Sequence, residues 1–170
     1  MGWVGLGKMG RPMAARLVSA GHEVTAHRRR PETPALEGAA AMEEELARLA
    51  AASGILISMI SDDAALEAVA DAVIPAMTRG ALYIDMSTVS PAASARVAGK
   101  AEAKGVDYLR APVVGSTDVA ASGELLILAS GPEEALRRAE PLFAHLGRRT
   151  VYLGPGEEAR HMKLALSLMV

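Results

Sequence analysis

With 170 residues, 51% of them hydrophobic, the chain is long enough to bury one core of its own. Its 18 basic and 20 acidic residues nearly cancel, to a net charge of −2, which gives no electrostatic footprint for nucleic acid. The lack of cysteine excludes a disulfide frame and a thiolate metal site. The histidines His22, His27, His145 and His161 are too scattered for metal-ligand spacing, so no metal is expected.

The chain opens on a short apolar run, residues 3–6, that reads as a strand. Within it begins G-x-G-x-x-G, made by Gly5, Gly7 and Gly10. Residues 11–20 follow with Met13, Leu17 and Ala20 at helical spacing. Glycine-rich turns are common, and a purely structural βα turn is the plain alternative. The strand before and the helix after are what point to a dinucleotide site. In that reading Gly5 permits the tight turn, Gly7 lets backbone approach a pyrophosphate, and Gly10 lets helix and strand pack closely. The intervening Leu6, Lys8 and Met9 share the phosphate loop, and the helix start offers free N–H groups and the positive end of its dipole.

Gly21 is a natural helix stop, and residues 22–26 read as a second strand. At its end stand His27, Arg28, Arg29 and Arg30, with no acid before Glu32. An acid about 20 residues past the glycines would suit the ribose hydroxyl of NAD, whereas arginine suits the 2′-phosphate of NADP. His27, Arg28 and Arg29 are therefore expected at the cofactor, with NADP favoured over NAD; otherwise they form a solvated basic turn.

Residues 31–35 are a proline-rich break. A short third strand is expected at 38–41 and a helix at 43–52, with Leu46 and Leu49 inward. The continuous apolar run at 54–60 reads as a strand buried on both faces. Its end is Met59, Ile60 and Ser61, and Ser61, Asp62 and Asp63 cap a helix over 64–72. A further buried strand is expected at 81–86, then a helix opened by Ser90-Pro91 and ended near Lys104 by Gly105. Residues 106–109 form the next strand, 111–123 a loop with a short turn of helix, and 125–129 another strand. Gly131-Pro132 starts a helix to about Leu146, residues 149–153 form a last short strand, and helical pattern resumes from Glu157.

Strands alternating with helices of 10–15 residues predict an α/β fold: a Rossmann-type, doubly wound, mostly parallel sheet. Apolar runs fall far short of the roughly 20 residues of a membrane span. The glycine motif starts so early that a signal peptide has no room, so a cytoplasmic protein without membrane contact is expected. The last residues, Leu166-Ser167-Leu168-Met169-Val170, are apolar and carry no cap. That ending is expected of a fragment, or of a chain whose next domain is absent.

Four blocks resemble the β-hydroxyacid dehydrogenase family, which includes 3-hydroxyisobutyrate dehydrogenase. The first is Gly5-Leu6-Gly7-Lys8-Met9-Gly10 with Met13-Ala14 and Gly21-His22-Glu23-Val24. The second is Asp85-Met86-Ser87-Thr88-Val89-Ser90-Pro91. The third is Ala111-Pro112-Val113-Val114-Gly115-Ser116, followed by Ala120 and Gly123-Glu124-Leu125. The fourth is Gly156 followed by Lys163. The resemblance implies an NAD(P)-binding domain over 1–153 and, over 154–170, the start of a long interdomain helix. An all-helical domain, absent here, would follow and provide a homodimer or higher assembly.

The resemblance makes Lys163 the catalytic residue. Reduction of a carbonyl puts negative charge on its oxygen, and an ammonium stabilises that charge and supplies the proton. A lysine pKa near 10.4 suits neutral pH poorly, so a partly desolvated pocket would help. The alternative is an ordinary surface lysine. Thr88 would lie near the nicotinamide, the backbone of Met59, Ile60 and Ser61 would line the cofactor cleft, and Ser87, Val114, Gly115, Ser116 and Ser167 would line the substrate; Ser87 and Thr88 read otherwise as a helix cap, Gly115 and Ser116 as a turn, and Met59 to Ser61 as core strand residues. The chain departs from the family's pattern at Arg110 for Asp, Val114 for Ser, Ser116 for Gly and Ser167 for Asn. Losing the hydroxyl at position 114 makes a less polar substrate plausible. The expected activity is hydride transfer between NADP(H) and a small hydroxyacid or semialdehyde. Imine reduction within the same superfamily and a non-catalytic NADP-binding module are the alternatives.

Overall fold

The computed structural model describes residues 1–169; Val170, the last residue of the apolar ending, lies outside the described residues. Six parallel strands form the main sheet: β1 (Gly2–Val4), β2 (Thr25–His27), β3 (Ala41–Glu43), β4 (Ile55–Ser58), β5 (Leu82–Asp85) and β6 (Asp107–Arg110). Their order is β3-β2-β1-β4-β5-β6, the doubly wound dinucleotide-binding order, with the chain reversing direction beside β1. Helices α1 (Gly10–Ser19), α2 (Leu46–Ala51), α3 (Asp63–Val73), α4 (Pro91–Lys104), α5 (Thr117–Ser122), α6 (Glu133–Leu146) and α7 (Glu158–Ser167) complete the chain.

The two-residue period of the strands builds two apolar layers. Trp3, Ile57, Ile84 and Leu109 face one side, against Met13 and Leu17 of α1 and Leu142 and Phe143 of α6. Their neighbours Val4, Leu56, Tyr83 and Tyr108 face the other, against Leu66 of α3 and Val97 of α4. Helices on both faces explain why the strands read as unbroken apolar runs.

The local signals act as their chemistry predicts. Gly21 has φ +88°, and the N–H groups of Gly21 and His22 bond back to Val18 and Leu17, closing α1 with a Schellman turn. Asp62 accepts the N–H of Ala65 at the start of α3, and Ser90 that of Ala93 at the start of α4. Ala20, by contrast, follows the end of α1 and is exposed.

The expectations at 22–26 and 38–41 both start three residues early, since β2 begins at Thr25 and β3 at Ala41. Helix α2 is shorter than 43–52. Glu43 is the last residue of β3, and its carboxylate takes the N–H groups of Glu44 and Glu45. The largest difference lies at 113–152. Val113–Val114 is a strand, β7, antiparallel to β8 (Leu125–Ala129), which is parallel to β9 (Gly147–Tyr152). This second sheet meets the first through paired backbone bonds between Arg110 and Ser130. A two-residue strand is too short to show a period in the sequence.

Candidate functional site

The carboxyl ends of the parallel strands open on a cleft of about 910 Å³. Gly5 to Gly10 form its floor, and Met59, Ile60 and Ser61 of the β4 end, His27 and Arg29 of the β2 end, and Ala65 and Val69 of α3 form its walls. Open α/β sheets bind ligands at this end, where the strand order reverses.

Each glycine of the turn has its own cause. Gly5 has φ +100°, and a Cβ there would stand 2.8 Å from the carbonyl carbon of Met59, with the oxygen nearer still. At Gly10 a Cβ would stand 3.0 Å from the carbonyl carbon of Gly5, again with the oxygen nearer. At Gly7 a Cβ would meet nothing within 4 Å. No contact within the protein therefore explains Gly7; open space above backbone amides is what a pyrophosphate needs. No side chain caps α1, and its first turn holds no acid. Its positive end is left for an anion. Glycine turn, free helix start and cleft size fit a dinucleotide.

At the far end of the cleft the basic residues separate. Arg29 is exposed and lines the cleft beside Thr33. Arg28 turns to Glu44, with its Nη2 2.8 Å from Oε1, and does not line the cleft. His27 shares its Nε2 with the carbonyl oxygen of Glu44 at 3.2 Å. Burial depresses the imidazole pKa below its usual value, with Arg29 adding to the effect, so His27 is neutral at pH 7. Arg11 holds the proline-rich loop through the carbonyls of Pro34 and Ala35.

On the other side of the cleft wall lies a buried polar cluster that the sequence did not announce. Asp85 ends β5 and Arg160 lies in the first turn of α7; both side chains are fully buried and pair at 2.6 Å. Asp85 Oδ1 also accepts the hydroxyls of Ser58 (2.5 Å) and Ser87 (2.7 Å). Ser87 Oγ in turn accepts the N–H of Ile60 in the cleft wall. The Ser87 hydroxyl is thus engaged inside the protein, whereas Thr88 beside it is exposed and lies outside the cleft lining. Burial lifts the pKa of Tyr83 and Tyr108, which keeps these neighbouring hydroxyls protonated.

A second pair, Arg110 with Glu157, closes the base of α7. The guanidinium of Arg110 lies over the ring of Tyr108, 4.9 Å from its centroid. Ser130 Oγ accepts the N–H of Ala159, a third tie to α7.

Lys163 stands one turn beyond Arg160 on α7, half-buried, and burial alone lowers its amine below the ordinary lysine pKa of 10.5. Ser167 is exposed and spends its hydroxyl on the carbonyl oxygen of Lys163 at 3.0 Å. Val114 is half-buried in β7, while Gly115 and Ser116 are exposed in the following turn. Ser116 Oγ accepts the N–H of Val119 at 3.4 Å and so caps α5. The cleft thus unites Gly5 to Gly10, His27, Arg29 and Met59 to Ser61. It leaves Arg28, Thr88, Lys163 and the residues expected at the substrate outside its lining.

Only part of this was open to sequence reasoning. An aspartate ending an apolar strand signals a buried charge that needs a partner. Nothing in the sequence says that the partner is 75 residues away. Among the described residues no group of three or more metal-ligating side chains occurs, and no helix is long and apolar enough to cross a membrane.

Residues 1–154 match the family described as the NAD binding domain of 6-phosphogluconate dehydrogenase. Over 174 aligned residues the chain is 34% identical to 2-hydroxy-3-oxopropionate reductase of Escherichia coli (strain K12), covering 100% of this chain and 60% of that enzyme. The structure of Mycobacterium tuberculosis 3-hydroxyisobutyrate dehydrogenase with L-serine matches with a TM-score of 0.94 at 29% identity, over 99% of this chain and 58% of that one. A reductive aminase from Aspergillus terreus in complex with NADPH and ethyl levulinate matches with a TM-score of 0.85 at 29% identity, over 99% and 60% of the two chains. The chain thus spans about three fifths of the length of the relatives it matches.

Proposed function

Because the chain belongs to the family of the NAD-binding domain of 6-phosphogluconate dehydrogenase, with β-hydroxyacid dehydrogenases among its relatives, we propose that it is the cofactor-binding part of an NADP(H)-dependent oxidoreductase. The whole protein interconverts a small hydroxyacid and its semialdehyde or keto form. The observation that carries this reading is the glycine turn at the uncapped start of α1, in which a Cβ at Gly7 would meet nothing within 4 Å.

When bound, the nicotinamide supplies or takes up the hydride. The amide groups of Gly5 to Gly10 hold the pyrophosphate. Arg29 reaches the 2′-phosphate of the adenosine ribose, which favours NADP over NAD. Arg28 contributes less, since Glu44 already holds it. Met59, Ile60 and Ser61 wall the cleft, and Thr88, exposed beyond that lining, meets the nicotinamide.

Lys163 is the general acid in reduction and the general base in oxidation. Partial burial moves its amine toward neutral pH, as proton exchange with a substrate oxygen requires. Gly115 and Ser116 offer N–H groups to a substrate carboxylate, with Val114 and Ser167 beside them, while Ser87, its hydroxyl held by Asp85, backs the cleft wall at Ile60. We place the domain division at 1–153 and 154–170. The exposed apolar residues of α7 and the end of the chain, Met162, Leu164, Leu168 and Met169, then face a helical domain through which the protein forms a homodimer or larger assembly.

A second reading has its own support. Val114 removes a hydroxyl from the substrate side, and the reductive aminase shares the fold, so a cyclic imine is the alternative substrate class. The test is the full-length gene product assayed with NADP(H) and NAD(H) against small 2- and 3-hydroxyacids, their semialdehydes and a cyclic imine. NADP-dependent turnover of a hydroxyacid or semialdehyde is expected. Turnover of the imine alone selects the second reading. No turnover at all, with NADPH demonstrably bound, leaves only a non-catalytic module and refutes both.

A further inference from the structure

We propose that the buried Asp85–Arg160 pair is a positioning device for Lys163, seating the helix that carries the amine on the loop that walls the nucleotide cleft. The inference rests on the catalytic role given to Lys163 above.

The argument starts from cost. Two charges taken out of water must recover their hydration from each other and from surrounding hydrogen bonds, and apolar residues of the same size often stabilise a fold equally well. Stability therefore gives a weak reason for such a pair, and orientation a stronger one. Arg160 is held from four directions. Its Nε donates to Ser94 Oγ on α4 (3.2 Å), and its Nη1 to the carbonyl oxygen of Ser87 (2.6 Å). Its Nη2 donates to Asp85 Oδ2 on β5 (2.6 Å) and to the Tyr108 hydroxyl on β6 (3.2 Å). A planar guanidinium fixed by partners from separate elements sets the roll of its helix as well as its place.

The other ties to α7, Arg110 with Glu157 and the Ala159 N–H with Ser130, sit at its first residues and leave the roll of the turn that carries Lys163 to Arg160. Among its described residues only Ala159 and Arg160 are buried, while Met162 and Leu164 are exposed. Lys163 follows Arg160 by three residues, so the two lie on neighbouring turns of one face. At a side-chain radius of about 5–6 Å, a roll of about 20° would carry the amine by about 2 Å. Misplacement of a catalytic group by about 1 Å can cost on the order of a hundredfold in rate. The same Asp85 accepts from Ser87, whose oxygen takes the N–H of Ile60 in the cleft wall. One hydrogen-bonded line thus refers the amine to the wall of the cofactor site.

The experiment compares wild type, Arg160→Lys, Asp85→Leu/Arg160→Met and Lys163→Ala in the full-length protein. The double variant leaves no unpaired charge in the interior. We expect it to fold, to bind NADPH within about threefold of wild type and to lose kcat at least tenfold. The pH midpoint of kcat should move up, toward an ordinary lysine. Arg160→Lys, which keeps the charge but not the fork, should fall between. The rate at which formaldehyde and borohydride methylate the neutral Lys163 amine, taken from the high-pH plateau and read by peptide mass, should rise severalfold in both as the amine becomes more exposed.

A folded double variant with kcat and labelling rate both within twofold of wild type overturns the proposal. So does a double variant that cannot fold, since the pair then serves the fold itself. If Lys163→Ala keeps full turnover, the catalytic reading fails on its own. The labelling rate, which needs no catalysis, still decides whether the pair orients the amine.

Discussion

A Gly7→Ala substitution adds a methyl group where nothing in the protein stands within 4 Å, and Gly7 is not among the glycines with positive φ. The folded state should accept it. The change in stability should be within about 0.5 kcal/mol, or a gain of up to about 1 kcal/mol from restricting the unfolded chain. The methyl group nevertheless occupies the side from which a pyrophosphate approaches the amides. A tenfold loss of NADPH affinity, about 1.4 kcal/mol, is the least expected. Gly10→Ala is the control. Its Cβ would stand 3.0 Å from the carbonyl carbon of Gly5 and closer to the oxygen, with Met59 Cβ at 3.4 Å behind. The clash is with backbone, so α1 must lift from β1, at a cost of about 1–3 kcal/mol or more. For a chain of this size that lowers Tm by roughly 2–4 °C per kcal/mol. Thermal denaturation by circular dichroism and titration by NADPH fluorescence measure both arms. If Gly7→Ala binds NADPH as wild type does, or melts as low as Gly10→Ala, the division of roles within the turn is wrong.

Three further outcomes follow from the same structure. Arg29→Ala should weaken NADPH at least tenfold and leave NADH nearly unchanged, while Arg28→Ala, which loses mainly its bond to Glu44, should change NADPH binding less; a titration showing strong NADH preference in wild type would reverse the cofactor assignment. Because Lys163 titrates below 10.5, kcat/KM for alcohol oxidation should rise with pH to a midpoint below that value as the amine becomes neutral. For carbonyl reduction, kcat/KM should fall over the same range as the ammonium is lost. A midpoint at or above 10.5 contradicts the burial argument. Ser90→Ala removes the cap on α4 and the hydroxyl's bond to Asp63, while the backbone N–H of residue 90 keeps its own bond to Asp63, and should cost about 1–2 kcal/mol in urea unfolding with cofactor affinity unchanged.

The sequence carried the fold through rules that act locally. An apolar run such as residues 81–86, short and preceded by Gly80, reads as a strand covered on both faces. Asp62, Ser90 and Gly21 act within three or four residues of themselves, so their effects are readable in order along the chain. The glycine turn was legible for the same reason, down to the tight turn at Gly5 and the close packing at Gly10. What escaped was side-chain partnership across the fold. Periodicity says which face Arg28 or Ser87 occupies; it does not say that Glu44 will hold the first or that Asp85 and Ile60 will share the second. Arg160 had the pattern of a solvated helix residue and is instead the most constrained side chain of α7. Ser167 shows the limit in reverse: its spacing from Lys163 was right for a shared face, yet its hydroxyl bonds to the helix backbone.

The most direct test of the account is the chemical step itself, measured as single-turnover oxidation of NADPH by the full-length protein and by Lys163→Ala at saturating carbonyl substrate. The account predicts a loss on the order of 10²–10⁴ in rate, with the Kd for NADPH unchanged. A variant that reduces the carbonyl at a rate within a few fold of wild type would contradict it.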